Sequence, residues 1–152
     1  MSAARLALAA GVLACAAACA GVNSQTNAYA TFDEARQAGA VAKGYVPAWL
    51  PPGSHDLREA HVPDTTALWG IVNFPQDQAE IFRAALVPGE LPLDGVQVDM
   101  PGRIEWWPHE LRGALNGERL GIVGIRGYRS RANDLVVAVN WQQGRAYYWS
   151  PR

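Results

Sequence analysis

The chain has 152 residues, 49% of them hydrophobic and 18% charged, with a formal net charge of −1. That composition suffices for one globular domain and hardly for two. The near-neutral balance and the lack of a polybasic tail exclude nucleic acid as the expected partner.

In chain order, Met1 to Arg5 carries a single positive charge, Leu6 to Ala14 is an unbroken run of apolar and small residues, and small residues continue to Ala20. This is the order of a secretory signal, and the run is well short of the roughly 18 residues that a spanning helix needs. Cys15 and Cys19 are the only cysteines, and both lie in or beside this segment. The rest of the chain therefore folds without a disulfide, although export would have permitted one.

The same segment resembles a bacterial lipoprotein signal, in which a short apolar or small triplet precedes an acylated cysteine. Ala16-Ala17-Ala18-Cys19 has small residues at both positions nearest the cut, and Val12-Leu13-Ala14-Cys15 is the alternative frame. The expected processing removes residues 1–18 and lipidates Cys19, with Cys15 as the alternative site. The competing reading is ordinary secretion, with a cut after Ala20. Ala20 is not the Asp that would divert a lipoprotein from the outer membrane, so the resemblance implies a bacterial cell-envelope location. In a diderm host this is the periplasmic side of the outer membrane, reached by membrane attachment through the N-terminal lipid.

Residues 19–30 are polar and small without periodicity and are expected to form a flexible tether. The domain is expected over residues 31–152. Thr31-Phe32-Asp33-Glu34 is a capping box, predicting a helix to Lys43 that stops at Gly44. Tyr45 to Ser54 holds three prolines and reads as extended. Residues 56–62 and 67–74 read as strands joined by the turn Pro63-Asp64-Thr65. Pro75 introduces a helix over residues 76–87 with Ile81, Phe82, Ala85 and Leu86 on one face. Residues 90–102 form a loop, 103–107 a short strand and 108–115 a helical turn. Strands follow at 120–129, 135–141 and 145–149, the last two joined by a hairpin turn at Gln142-Gln143-Gly144. This order predicts a single small α+β domain: an antiparallel β-sheet with helices packed mainly on one face.

"GYVPAWLPPGSHDLREAHVPDTTALWGIVNF" (Gly44 to Phe74) is similar to a pattern in small bacterial lipoproteins. There, an aromatic and proline segment runs into an Asp-Thr turn and then an aromatic strand. Thr66 stands where the pattern has Asn. "WWPHELRG" (Trp106 to Gly113) and "GRAYYW" (Gly144 to Trp149) resemble the C-terminal half of the same family, some of whose members carry the description YbbD head domain. The resemblance implies a lipoprotein location and one compact domain, and it brings no activity with it.

His55, Asp56, Glu59 and His61 form the densest set of metal-ligand residue types, but their spacing matches no established motif. The simpler reading is an edge strand with its polar residues outward, and no metal or other cofactor is expected. Neither a G-x-S-x-G nor a G-x-G-x-x-G pattern occurs, so no catalytic residue can be named.

Charge is distributed unevenly. Residues 19–118 hold 6 basic and 13 acidic side chains, whereas residues 119–152 hold 6 and 1. This gives −7 before Arg119 and +5 after it. The candidate ligand surface is therefore cationic and aromatic: Arg126, Arg129 and Arg145 with the pair Trp106 and Trp107, facing an anionic envelope component. Against it stands the reading in which these arginines pair with acids and stack on aromatics inside the fold. The functional expectation is a binding or structural module without catalytic activity. The alternative is a hydrolase acting on envelope glycans through carboxylates that no motif singles out.

Overall fold

The computed structural model describes residues 23–102 and 104–151. The expected signal peptide, Cys15 and Cys19 lie outside them. Strands β1 (Gln25–Thr31), β2 (His55–His61), β3 (Leu68–Asn73), β6 (Ile125–Arg129), β7 (Val136–Asn140) and β8 (Arg145–Trp149) form one antiparallel sheet in the order β1-β2-β3-β8-β7-β6. A small ribbon pairs β4 (Gln97–Val98) with β5 (Gly113–Ala114). The helices are short: α1 (Phe32–Gln37), α2 (Ala79–Ala84) and α3 (Gly117–Ile122). None of them is long and apolar enough to cross a membrane. The α+β class with one antiparallel sheet is what the sequence predicts.

Side-chain alternation divides the core between the two faces of the sheet. On the first face, Leu57, Val72, Val137, Val139, Ala146 and Tyr148 meet Phe32 and Ala35 of α1 and Phe82 of α2. On the second, Ala60, Trp69, Val136, Ala138 and Trp149 meet Leu120 of α3 and the residues 93–115 that precede it. Two helices thus cover one face, while α3 and a largely irregular excursion cover the other.

Several elements depart from the sequence expectation for identifiable reasons. The tether expected up to residue 30 is instead strand β1 from Gln25 onward, paired along β2 from Gln25↔His61 to Thr31↔His55. Its polar outward residues give little hydrophobic signal, and the pairing supplies its order. Consequently β2 is an interior strand, and the edge assigned to it belongs to β1. The Thr31 cap forms, with Glu34 N–H donating to Oγ1 at 3.2 Å. The Glu34 carboxylate reaches back to the N–H of Ala30 at 2.8 Å rather than to that of Thr31.

Helix α1 stops short of Lys43 because Gly39 adopts φ +80°. Bonds Ala40 N–H to Ala35 O and Gly39 N–H to Arg36 O close the helix as a Schellman cap. The expected helix over 76–87 is a 3-10 turn followed by α2, and Ile81 is exposed rather than on the buried face with Phe82 and Leu86.

Where a strand is expected at 103–107, the described residues 104–107 form a turn closed from Trp107 N–H to Ile104 O, which places Ile104 and Trp107 together in the second core. Residues 120–129 do not form one strand. Asn116 caps α3, its Oδ1 accepting from Arg119 N–H at 2.9 Å, and Gly124 at φ +81° turns the chain into β6. The hairpin of β7 and β8 is as expected, closing at Asn140↔Arg145 with Gly144 at φ +63°.

Candidate functional site

Register decides which of the sequence-predicted residues meet. Asn73 pairs with Arg145 and Ile71 with Tyr147, while Arg58 pairs with Ile71. Arg58, Asn73 and Arg145 therefore come together at one end of the second face. Arg58, Ile71, Asn73 and Arg145 line a cleft of about 390 Å³, together with Asp56 and Trp106. Arg145 Nε–H donates to Asn73 Oδ1 at 2.8 Å, which fixes its guanidinium at the cleft wall. The Asn73 amide donates in turn to Asp56 Oδ2 at 3.5 Å. Asp56 itself holds φ 48° where the β2–β3 register shifts between His55 and Arg58.

Neither Arg58 nor Arg145 forms an ion pair with a carboxylate of the described residues. The remaining predicted arginines behave differently. Arg126 pairs with Glu90 at 3.8 Å and Arg129 with Asp134 at 2.9 Å, so the folded chain itself neutralises them. Trp107 is buried and donates its indole N–H to Leu111 O at 2.7 Å. It is a core residue and not half of an exposed pair. Trp106 stays half-exposed, edge-on to Trp107 with ring centroids 6.2 Å apart. Of the predicted surface, the structure brings together Trp106 and Arg145 only, and it adds Arg58. That addition had no local signal, because strand pairing makes the neighbourhood.

On the first face a second polar cluster surrounds Glu59, which is fully buried. Asn27, directly opposite on β1, donates to Oε1 at 2.6 Å, and His61 Nδ1 lies 2.8 Å from Oε2. The Glu59 charge also acts on the Tyr29 hydroxyl. Tyr45 stacks on the His61 ring, centroids 3.6 Å apart and planes 9° from parallel. Glu59 and His61 therefore point inward, against the expectation that polar residues of this strand face water.

Gly70 lies between Glu59 and Tyr148 in the same cross-strand row. A Cβ on Gly70 would collide with the Tyr148 ring, so the bare glycine is what allows that ring to lie across β3. The Tyr148 hydroxyl then donates to Tyr45 O at 3.2 Å. Burial first, and the Glu59 charge second, push the Tyr148 hydroxyl well above its ordinary value. Tyr29 is raised by the same causes in the same order. Both phenols are held in the protonated, donating form. Among the described residues no three His, Cys, Asp or Glu side chains converge as a metal site.

The second face has another cleft at its opposite end, about 520 Å³ in volume, with Trp69 and Trp149 in its lining. The residue 93–115 excursion thus crosses the sheet with a polar, cationic cleft at one end and an apolar one at the other.

Residues 23–72 match the family described as YbbD head domain. The match runs from the residues before β1 into β3. It includes the Glu59 cluster and Arg58, and it stops before Trp106 and Arg145. No curated protein and no solved structure matches the chain.

Proposed function

We propose that this is a lipid-anchored protein of the bacterial cell envelope, acylated on Cys19, whose single domain is a non-catalytic binding module. Its ligand is an anionic envelope component, a glycan carrying carboxylate or phosphate groups, taken up in the cleft of Trp106, Arg58 and Arg145. The observation that carries this reading is the pair of guanidinium groups lining one cleft beside an indole, two cations to the single carboxylate of Asp56 and neither in an ion pair with a carboxylate of the described residues. Guanidinium groups form charge-assisted, bidentate bonds with carboxylate and phosphate, and an indole offers a flat apolar face to a sugar ring. Asn73 supports the geometry by holding Arg145 from behind.

The test is retention of the full-length protein on immobilised polygalacturonate and on phosphocellulose across a salt series, with neutral dextran as the reference. Retention on one of the two anionic matrices should fall at least tenfold with Arg145→Glu or Trp106→Ala. It should hold with Arg126→Glu, because Arg126 is already paired. Equal retention of wild type and Arg145→Glu would refute the assignment. The anchor is tested by the mass of the mature N-terminal peptide. Diacylglycerol on Cys19 is expected, and an unmodified peptide beginning at Gly21 would refute it.

A further inference from the structure

Strand β1 enters the sheet at the end where the apolar cleft opens. Gln25 pairs with His61, His61 with Leu68, and Ser150 N–H donates to Leu68 O, so these four residues form one row. Ser150 and Ala67, the neighbour of Leu68, line that cleft. At about 4.8 Å per strand, β3 lies roughly 10 Å from Gln25 and β8 roughly 14 Å. The six residues from Cys19 to Gln25 span up to about 20 Å when extended. The length of chain is therefore sufficient for a group on Cys19 to reach the cleft.

The lining is suited to hydrocarbon. Val62, Ala67, Trp69, Met100, Trp149 and Pro151 supply apolar surface beside a few uncharged polar residues, and among the described lining residues only Asp99 is ionisable. Among the described residues no lysine or arginine lines it, in contrast with the cleft at the other end of the face.

We infer that this cleft receives an acyl chain of the lipid carried by Cys19 of the same molecule, an inference that rests on the lipid-anchor reading above. The short connection makes the encounter intramolecular, which raises the effective concentration of the chain at the cleft. The cleft then competes with the bilayer for one chain, while the other acyl chains remain in the membrane and keep the protein attached.

The experiment uses the full-length protein in the membranes of cells fed a fatty acid bearing a terminal diazirine. After irradiation and digestion, the expected product is a covalent adduct joining the Cys19 peptide to a peptide of the cleft wall, around residues 62–69 or 149–151. Ala67→Trp, which fills the cleft, should reduce that adduct at least tenfold while Cys19 keeps its label. Thr66→Trp, on the exposed turn beside it, provides a second obstruction less demanding on folding. A labelled Cys19 peptide without a cleft adduct overturns this inference alone. An adduct of the cleft wall with a separate membrane lipid also overturns it. An unlabelled N-terminal peptide overturns the anchor reading, and this inference falls with it.

Discussion

Replacing Gly70 with alanine tests the row that joins Glu59, Gly70 and Tyr148. The added methyl overlaps the Tyr148 ring, which is 1% exposed and tied by its hydroxyl to Tyr45 O. If the ring rotates away it forfeits that hydrogen bond, worth about 1 kcal/mol. If it stays, β3 and β8 must separate, at an overpacking cost of about 1–3 kcal/mol. Against this, alanine loses less backbone entropy than glycine on folding, which returns about 0.5–1 kcal/mol. With the ring held in place the overpacking cost dominates, and the expected net destabilisation is about 1–2 kcal/mol, measured as a lower urea midpoint at unchanged slope. Repeating the substitution in a Tyr148→Ala background isolates the cause. Without the ring, Gly70→Ala should be neutral or slightly stabilising, giving a coupling of about 1–3 kcal/mol in the double-mutant cycle. A loss below about 0.5 kcal/mol, or an equal loss in both backgrounds, would show that the ring does not depend on the missing side chain.

Two further outcomes follow from the same cluster. Glu59→Gln keeps the volume but sets an amide N–H against the Asn27 amide or the His61 ring, so stability should fall by about 1–3 kcal/mol and β1 amides should exchange faster; unchanged β1 protection would refute the role of Asn27 in holding that strand. The second outcome concerns alkaline pH. Tyr29 and Tyr148 have raised folded values, so the unfolded chain loses its phenolic protons first as pH rises past about 10. Their contribution is intact below that point and is lost above it, at up to about 1.4 kcal/mol per pH unit for the buried Tyr148, with solvent screening leaving Tyr29 the smaller share. Thermal unfolding between pH 8 and 11 should show a falling midpoint only above about pH 10, and a shallower fall in Tyr148→Phe.

The strands that the sequence revealed best are those whose own residues carry the signal. Val136 to Asn140 and Arg145 to Trp149 are β-branched and aromatic, and a glycine stands where the hairpin needs a left-handed residue. Strand β1 was illegible because QTNAYAT is mostly exposed and gains its order from β2. Helix α3 hid inside an apolar stretch whose Ile122 and Val123 are 78% and 55% exposed, so hydrophobicity there marked neither a strand nor the core. In the site, residue type alone picked out Trp106 and Arg145. The choice of which arginines stay free depended on partners distant in sequence: Glu90 for Arg126 on one side, and Asn73 beside Arg58 on the other. Likewise, Glu59 looks like an ordinary outward acid until β1 covers its strand, after which its burial follows from the pairing with Asn27.

The bond from Ala30 N–H to the Glu34 carboxylate, and those of Val87 and Leu91 N–H to Arg129 O and Gly127 O, act at the two opposite borders of the sheet. Each fills backbone positions that another strand would need, the first with a negative charge and the others with the chain's own loop. Molecules gathered side by side on one surface meet border to border far more often than in dilute solution. In such a setting these bonds withhold ladder positions from a neighbouring sheet, at the Thr31 end of β1 and along β6.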